Sequence, residues 1–543
     1  MTVSFKQLFA ALVITGATVS LIQSTINQRS SEVDKTLPSP SPSTPSSPLY
    51  HELYRPGYHF SPPQNWMNDP NGLLYANGKY HLYFQYNPYS IKDEHMSWGH
   101  AVSTDLVHWE NLPVAIWEYN NTMIFSGSAI VDKNNTSGFC TPSEYECILA
   151  FYCAQTTVEA QAIAYSVDNG ASYKQYAGNP IIDIGSNAFR DPKVIWYEAG
   201  KKWIMATVLA DKFQIRFYES TNLLNWTRLS EFGPEGTTEA CWEDPDLYLM
   251  TVENTGEKKW VLSHSVGQHV QYFVGDFNGT HFINANPKDM VLAIDQGIDF
   301  YAGVTYNNVP DGRILMVAWA SNLGYIVPTT PWKGQTTVVR QLRLHEYPEG
   351  IRIAQNPVEE LENIRYFPTH YDDLHLVEGE TIINLQGGQL DIDVTFLIPT
   401  SNATSGFGIK VFAGKYQETV IGYDMTSGSL YIDRRDSGLK NFSCCFARRR
   451  DAVMAPENGR IQFRILVDQN IVEVFGNNGK VAMSALIYPD PSQNQVLAYS
   501  VGGNVTIATL DTYYMSGIWP TSAGVDEGNL RKKPRDFLKL HHI

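Results

Sequence analysis

The stretch Ser103-Thr104-Asp105-Leu106-Val107-His108-Trp109 returns, with close substitutions, as Ser220-Thr221-Asn222-Leu223-Leu224-Asn225-Trp226. Looser versions of this pattern, a turn residue followed by an aromatic residue, lie at 166–173 and 275–282. The turn positions 105, 168, 222 and 276 are spaced by 63, 54 and 54 residues. Such a period, with short β-rich segments and few helical patterns, is typical of a β-propeller in which each repeat is one four-stranded blade.

A second set of segments follows the turns at a constant distance, about 22 residues later in each repeat. These segments are Phe125-Ser126-Gly127-Ser128, Arg190-Asp191-Pro192, Trp242-Glu243-Asp244-Pro245 and Asp299-Phe300-Tyr301. With Asp69 as a fifth member, the spacing predicts five blades over residues 55–360. Because the innermost strands of a propeller line its central channel, we expect Asp69, Asp191 and Glu243 to converge at one end of that channel.

The last third of the chain alternates apolar and polar residues, so the whole chain is predicted to be all-β. The apolar positions of the clearest segment are Leu390, Ile392, Val394, Phe396 and Ile398. Period-two strands with Gly and Asn turns predict an antiparallel β-sandwich over residues 361–518, followed by a solvated tail at 519–543. We see no acidic constellation in this part, and its expected role is to pack against the propeller or to bind sugar.

The N-terminus predicts export from the cell. An apolar run from Leu8 to Ile22 follows Lys6 and is short for a membrane span, so residues 1–25 are interpreted as a signal peptide. The alternative is an uncleaved signal anchor that would hold the protein at the cell surface. Residues 26–54 contain a Pro/Ser-rich tract, which predicts an extended stalk. Eight sequons favour a secreted, extracellular glycoprotein, and they lie at Asn120, Asn134, Asn135, Asn225, Asn278, Asn402, Asn441 and Asn504.

The net charge and the cysteine content limit the classes of ligand and partner that the protein is expected to bind. A formal net charge of −16 argues against nucleic acid or anionic lipid as a partner and is compatible with a neutral small-molecule sugar. The six cysteines are too scattered for a disulfide scaffold, although Cys140 and Cys147 could bridge a loop. No C-x-x-C pair indicates zinc, and we expect neither a metal nor an organic cofactor. The sequence leaves a homo-oligomer open.

Asp69 has the most unusual local sequence, Trp66-Met67-Asn68-Asp69-Pro70-Asn71-Gly72. Pro70 restricts Asp69 to extended conformations, and Asn71-Gly72 is expected to form a turn. The sequence thus predicts a carboxylate held rigidly at the end of a strand, as a nucleophile or a metal ligand would be. The alternative is an Asp that caps a turn.

Three acids in one channel suit glycoside hydrolysis. In a retaining glycosidase one carboxylate attacks the anomeric carbon and a second protonates the leaving oxygen. Asp69 is the expected nucleophile, and Glu243, with its longer reach and its neighbour Trp242, is the expected acid/base. Other acids compete for the second role, namely Glu235, Glu239, Asp244 and Asp246. Alternation along the strand would point Asp244 away from the channel.

From about residue 55 to 517 the chain resembles glycoside hydrolase family 32, the invertases, exo-inulinases and related fructosyltransferases, and it is most similar to secreted fungal members. The resemblance rests on the segments around Asp69, Ser126, Asp191 and Glu243, together with Phe84-Gln85-Tyr86-Asn87-Pro88 and Ser97-Trp98-Gly99-His100. It implies a five-bladed propeller followed by a β-sandwich. It further implies Asp69 as nucleophile, Asp191 as transition-state stabiliser, Glu243 as acid/base, and sugar contacts from Asn68, Gln85, Phe125, Ser126 and Arg190.

The chain departs from the family pattern at three positions. Asp244 replaces the usual Cys after the acid/base glutamate, and Asp93 and Leu323 stand where related hydrolases carry pocket tryptophans. Asp244 would raise the pKa of the acid if it approached Glu243. The other two changes affect the wall of the fructose pocket, and therefore the substrate range and the ratio of hydrolysis to transfer.

The resemblance implies a retaining β-fructofuranosidase that hydrolyses sucrose or terminal β-fructosides through a covalent fructosyl-enzyme. The alternatives are a fructosyltransferase, an exo-inulinase or levanase, a non-catalytic fructan-binding protein, and a propeller hydrolase of arabinan or sialosides. Trp98 is interpreted as a core residue and His100 as a structural histidine.

Overall fold

The computed structural model describes residues 49–140, 145–399 and 403–519. The predicted signal segment, most of the stalk, the tail beyond Trp519 and the sequon at Asn402 lie outside the described residues. No helix in those three ranges is both long and apolar enough to cross a membrane. The described chain is almost entirely β-structure, as predicted, with three short 3-10 helices at Glu198–Gly200, Ala210–Lys212 and Glu359–Ile364.

The described residues of the N-terminal domain form 21 strands. They are β1 (Asn65–Ala76), β2 (Lys79–Asn87), β3 (Ser97–Ser103), β4 (Glu110–Ile116), β5 (Met123–Val131), β6 (Ile148–Gln155), β7 (Glu159–Ser166), β8 (Lys174–Gln175), β9 (Phe189–Tyr197), β10 (Lys202–Leu209), β11 (Gln214–Ser220), β12 (Thr227–Phe232), β13 (Trp242–Thr251), β14 (Lys258–Val266), β15 (His269–Phe277), β16 (Phe282–Asn284), β17 (Tyr301–Thr305), β18 (Ile314–Trp319), β19 (Trp332–Lys333), β20 (Arg340–Tyr347) and β21 (Gly350–Pro357).

These strands form five antiparallel sheets in chain order, and each sheet is one propeller blade. The first blade is β1 to β4, with β19 added in parallel beside β1, and the next three blades are β5–β8, β9–β12 and β13–β16. The fifth is β17, β18, β20 and β21. Successive inner strands β1, β5, β9, β13 and β17 contact one another, and β17 contacts β1. The ring is therefore closed with five blades, which confirms the predicted propeller.

Every inner strand carries a β-bulge at the same level. Each bulge is a break in the pairing register with the second strand of its blade, and the breaks lie between Met67 and Pro70, Ile124 and Gly127, Arg190 and Lys193, Glu243 and Asp246, and Tyr301 and Val304. Asp191, Asp244 and Ala302 have φ angles of 59°, 49° and 52° there. Bulges re-aim side chains and are frequent beside active sites. Here they redirect the segments that the sequence spacing singles out.

In the C-terminal domain, the part of the chain that the structure describes forms 12 strands. They are β22 (Arg365–Leu376), β23 (Gly379–Gln386), β24 (Leu390–Leu397), β25 (Gly406–Ala413), β26 (Glu418–Asp424), β27 (Ser429–Asp436), β28 (Arg449–Val453), β29 (Arg460–Asp468), β30 (Ile471–Gly476), β31 (Val481–Leu486), β32 (Gln495–Val501) and β33 (Val505–Met515).

These strands form two six-stranded antiparallel sheets, ordered β22-β33-β24-β29-β30-β31 and β23-β32-β25-β26-β27-β28. The alternating apolar residues of β24, such as Ile392 and Phe396, are fully buried in one core shared by both sheets. This arrangement confirms the predicted β-sandwich. Inward-facing side chains of period two give it a continuous apolar layer.

A buried charge network joins the sandwich to the propeller. Arg340 of β20 lies 2.9 Å from Asp295 and also pairs with Glu473 of β30. His59 lies between Asp468, at 2.8 Å, and Glu473, at 3.0 Å. All of these side chains are fully buried. The sandwich therefore packs against the propeller, one of the two roles expected for it.

Cys140 and Cys147 form a disulfide across a separation of seven residues, as their spacing allowed. Cys153 is free and buried, whereas Cys241, Cys444 and Cys445 are free and exposed.

Candidate active site

The bulges bring Asp69, Asp191 and Glu243 to one end of the central channel, from β1, β9 and β13. The charge of Glu243 acts on both aspartates, which places the three carboxyl groups in one electrostatic cluster. Asp191 is buried, whereas Asp69 and Glu243 keep partial exposure toward the channel mouth. The structure thus brings together the three acids that the repeat spacing predicts.

Asp69 is held by its own strand and by the next blade. The Ser126 hydroxyl of β5 donates to Asp69 Oδ2 at 3.0 Å. The neighbouring Asn68 is fixed by the Trp66 indole, whose Nε1 donates to Asn68 Oδ1 at 2.8 Å. Burial, with the charge of Glu243, raises the pKa of Asp69 to about 7, while hydrogen bonds from Asn68 and Ser126 oppose the shift.

The predicted turn at Asn71-Gly72 and the end of the strand at Asp69 are both wrong. β1 continues to Ala76, and the register with β2 shifts again between Asn71 and Leu74. Gly72 takes a φ of 54°, which suits a bulge, and an added Cβ there would collide with the rings of Tyr83 and Trp98. The Asn71-Gly72 pair therefore marks a bulge within β1 and not a reversal of the chain.

Asp191 is oriented by the neighbouring inner strand. The backbone amide of Asp244 donates to Asp191 Oδ2 at 3.0 Å, and Arg190 Nε lies 3.8 Å from the same oxygen. Burial raises the pKa of Asp191 to about 8, with Arg190 opposing the shift and Glu243 adding to it. A second strand thus fixes this carboxyl group, as a residue that orients substrate requires.

Arg190 links two acids that belong to the neighbouring blades on either side of it. Its Nη1 lies 3.1 Å from Glu159 Oε2 and its Nη2 lies 2.9 Å from Glu243 Oε1. Tyr301 of β17 donates its hydroxyl hydrogen to the other oxygen of Glu243. Both carboxylate oxygens of Glu243 are therefore held, one by a cation and one by a phenol.

Gln85 and Phe125, the other predicted sugar contacts, line the same region. Gln85 is buried, and its amide nitrogen donates to the carbonyl of Ile124 at 3.1 Å. Phe125 belongs to an apolar cluster beside the acids that also contains Trp66, Met96, Met123, Tyr301 and Trp319. Asn68, Gln85, Phe125, Ser126 and Arg190 all lie on inner strands or directly behind them.

Asp244 lines the channel, contrary to the expectation that it points away. It borders an axial cavity of about 20 Å³, room for one water molecule, together with Asn71, Asp191, Lys193 and Thr305. Burial, with the charges of Asp69, Asp191 and Glu243, raises the pKa of Asp244 well above its ordinary value. The bulge explains the error, because it breaks the simple alternation of side chains along β13.

The remaining rivals to Glu243 are engaged elsewhere. Glu235 accepts a hydrogen bond from Asn284 at 2.9 Å. Glu239 is exposed on the segment before β13. Asp246 is fully buried and lies 3.0 Å from Lys193. Of the four competing acids, only Asp244 borders the axial cavity.

Several site residues escaped the sequence reasoning. Tyr301 belongs to the spaced segment Asp299-Phe300-Tyr301, so the period could have assigned it. Trp66 stands inside the Asp69 motif, but its position in the sequence indicates no role. Glu159 begins β7, and neither its type nor its position marked it as the partner of Arg190. Trp319 belongs to the apolar cluster beside the acids, which forms an aromatic wall of the site, and its ring centroid lies 6.2 Å from that of Trp66.

The two altered wall positions differ in their surroundings. Asp93 is close enough to the acids that desolvation and the charge of Glu243 raise its pKa. Leu323 is 62% exposed, on the loop that follows β18. Trp98 and His100 are buried, and His100 stacks on Tyr83 with ring centroids 4.2 Å apart, so both have core environments. No group of three or more His, Cys, Asp or Glu side chains within the described ranges is arranged to hold a metal ion.

A closed propeller with a deep acidic channel end, a cation between two of its acids and an aromatic wall defines a carbohydrate-cleaving enzyme of the carboxylate type. The model described as glycosyl hydrolases family 32 N-terminal domain matches residues 59–357, and the one described as glycosyl hydrolases family 32 C terminal matches residues 360–514. The chain belongs to glycosyl hydrolase family 32 and is a glycoside hydrolase.

Known relatives agree with this assignment. The chain is 43% identical to a levanase of Bacillus subtilis over 88% of its own length and 72% of that protein. It is 34% identical to an extracellular exo-inulinase of Aspergillus awamori over 87% of its own length and 96% of that protein. The crystal structure of exo-inulinase from Aspergillus awamori superposes with a TM-score of 0.82 at 33% identity, covering 87% of this chain and all of that one.

Proposed function

We propose that this protein is an extracellular retaining β-fructofuranosidase that hydrolyses sucrose or the terminal β-fructosyl units of fructans. The observation that carries the proposal is the convergence of Asp69, Asp191 and Glu243 on bulged inner strands. The levanase and exo-inulinase among the relatives support a β-fructoside as the substrate. The name of the exo-inulinase, which includes the word extracellular, supports the location.

Asp69 is the nucleophile of this proposal. Its carboxylate attacks the anomeric carbon as the bond to the leaving oxygen breaks, and Glu243 transfers its proton to that oxygen. A fructosyl ester on Asp69 results. Glu243 then removes a proton from water, the water oxygen attacks the same carbon, and the ester bond breaks to release fructose and restore both acids.

The electrostatics of the cluster support these roles. Burial, and after it the negative charges of neighbouring carboxylates, raises the pKa of Asp69, Asp191 and Asp244, so the cluster beside Arg190 holds protons at neutral pH. Such protons belong to the cluster as a whole. Moving one proton from Asp69 to Glu243 leaves the net charge of the cluster unchanged. The resulting state, with Asp69 ionised and Glu243 protonated, is the one that double displacement needs.

The remaining predicted site residues bind and orient the fructosyl ring. Asp191 and Arg190 offer an acceptor and a donor for ring hydroxyls, and Asn68 and Gln85 offer amides. Ser126 places Asp69, and Phe125 gives an apolar face to the sugar. Charge that develops on the ring in the oxocarbenium-like transition state is balanced by the carboxylates around it.

The test compares wild type with Asp69→Asn on sucrose and on a β-fructan, with all products resolved. We expect wild type to release free fructose whose anomeric configuration, measured immediately after cleavage, is retained. We expect Asp69→Asn to release no fructose. If oligosaccharides dominated over free fructose at high sucrose concentration, the proposed activity would be fructosyl transfer and not hydrolysis. Sugar binding without cleavage by either protein would make it a fructan-binding protein.

A further inference from the structure

Two exposed aromatic side chains lie on the same rim of the propeller as the channel mouth. Tyr89 is 46% exposed and Trp117 is 47% exposed, and their ring centroids are 6.4 Å apart. Tyr89 lies in the connection from β2 to β3, and Trp117 begins the connection from β4 to β5. Most large apolar side chains of the propeller are buried, so a paired exposure of this kind marks a contact surface.

The rim position follows from the chain around the pair. Asp93 belongs to the same β2–β3 connection as Tyr89, and its charge contributes to the raised pKa of Asp69. The β4–β5 connection leads directly into Phe125 and Ser126 of the site. The carbonyl of Met96, the last residue of the β2–β3 connection, accepts a hydrogen bond from the amide of Ile124 on β5 at 2.9 Å, which joins that connection to the strand carrying Phe125 and Ser126.

The strand register sets the distance of the pair from the acids. Met67 of β1 pairs with Tyr86 of β2, and Tyr86 pairs with Ser97 of β3. The Ser97 hydroxyl accepts a hydrogen bond from the Glu118 amide at 3.0 Å, so Trp117 lies beside the third strand of the blade. Two strand spacings amount to about 10 Å, so Trp117 lies at least that far from β1. Tyr89 lies nearer, because the carbonyl of the next residue, Ser90, accepts a hydrogen bond from the Trp66 amide of β1 at 3.0 Å. The pair therefore extends from the channel mouth outward across the rim.

The chemistry of the rim suits a carbohydrate. Aromatic faces pack against the C–H faces of sugar rings, and their polar edges leave the hydroxyl groups in water. His95 stands edge-on to Tyr89, with ring centroids 5.5 Å apart, and its Nδ1 lies 2.9 Å from Glu118 Oε1. This pair of polar side chains offers a donor and an acceptor to hydroxyl groups beside the two rings.

We infer that Tyr89 and Trp117 form a distal subsite that binds a fructan chain two or more units beyond the fructosyl residue held in the channel. The inference rests on the proposed function and narrows its substrate class from any β-fructoside to chains longer than a disaccharide. Sucrose held at the acids is too short to reach Trp117, whereas a polymer reaches the acids and both rings.

The test measures kcat/KM of wild type, Tyr89→Ala and Trp117→Ala on sucrose and on β-fructans of increasing length, before and after enzymatic removal of N-glycans. Loss of one aromatic contact is expected to lower kcat/KM on the polymer by about fivefold. The value on sucrose is expected to stay unchanged. Equal losses on both substrates, or no loss on the polymer, would overturn the subsite.

Trp196→Ala is the matched control. Trp196 is also an exposed tryptophan, at 39%, and it packs on Trp203 with ring centroids 5.1 Å apart. It lies five residues beyond Asp191 on β9, or about 16 Å toward the opposite face. It is expected to leave the ratio of polymer to sucrose rates unchanged.

Failure of the subsite can be separated from failure of the proposed function. If wild type cleaves no β-fructoside, the proposed function fails and with it the kinetic comparison. Retardation on a fructan-containing native gel then tests the surface directly in Asp69→Asn, with and without Trp117→Ala. Loss of retardation in the double variant supports the subsite, and equal retardation rejects it.

Discussion

Arg190 Nη2 lies 2.9 Å from Glu243 Oε1, so the expected acid/base is ion-paired to the residue that precedes Asp191 on the neighbouring inner strand. The same guanidinium holds Glu159 through its other nitrogen, at 3.1 Å. The planar guanidinium of Arg190, a rigid fork of donors, thus binds one carboxylate from each of the two neighbouring blades.

Arg190→Lys should disable the enzyme without unfolding it. A lysine keeps the positive charge but has a single nitrogen, which cannot serve Glu159 and Glu243 together. We expect kcat/KM on sucrose to fall by about 100-fold, or ~3 kcal/mol of transition-state stabilisation. The melting temperature should change by no more than a few degrees. Activity within threefold of wild type would show that the fork geometry does not matter.

Glu243→Ala should lose most activity on substrates whose leaving group needs a proton. We expect a loss of about 10³-fold or more on sucrose, the range of general acid catalysis together with positioning, and a much smaller loss on an aryl β-fructoside whose phenolate leaves unaided. Glu239→Ala, an exposed acid four residues earlier, is the control and should resemble wild type. A uniform loss on both substrates would assign Glu243 a different role.

The sequence period located the acids because a propeller repeats its inner strand once per blade. Asp69, Asp191 and Glu243 could be placed at one level from spacing alone, and Tyr301 could have been placed in the same way. Glu159 could not, because its link to Arg190 joins two different blades and leaves no trace in local sequence. Contacts of that kind depend on tertiary structure.

Bulges explain the two local errors. Alternation predicts the side of a strand only where the register is unbroken, and the register breaks at Asp244 and again after Asn71. Asp244 occupies a positive-φ position that a non-glycine residue adopts only when its surroundings impose it. The pair Asn71-Gly72 predicts a turn, whereas in this fold it lies at a bulge.

Asp244→Asn should stabilise the protein at high pH. Burial and neighbouring carboxylates raise the pKa of Asp244, so the folded chain retains a proton that the unfolded chain releases above about pH 4. Wild-type stability must therefore fall as pH rises through the raised pKa, and asparagine removes that loss. We expect similar melting temperatures at pH 4 and a melting temperature higher by about 3 °C or more in the variant at pH 8.

The variant Asp69→Asn tests the same effect at a second position. The pKa of Asp69 is raised to about 7, so the variant should also gain stability relative to wild type between pH 4 and pH 8. Asp211→Asn, at an exposed surface position, should show no such trend. If Asp244→Asn were less stable than wild type at pH 8, the carboxylate would be a stabilising element rather than a burden.

The interface between the domains should weaken in alkaline solution through His59. Burial alone would lower the pKa of this histidine, but hydrogen bonds to Asp468 and Glu473 raise it to about 9. The stabilisation is fully present below the unfolded value near pH 6.5 and is lost as pH rises through 9, which amounts to about 3 kcal/mol. His59→Gln cannot carry the charge, so its melting temperature should lie well below wild type at pH 6. The gap should narrow by pH 10, and a gap that stays constant with pH would show that His59 is neutral at the interface.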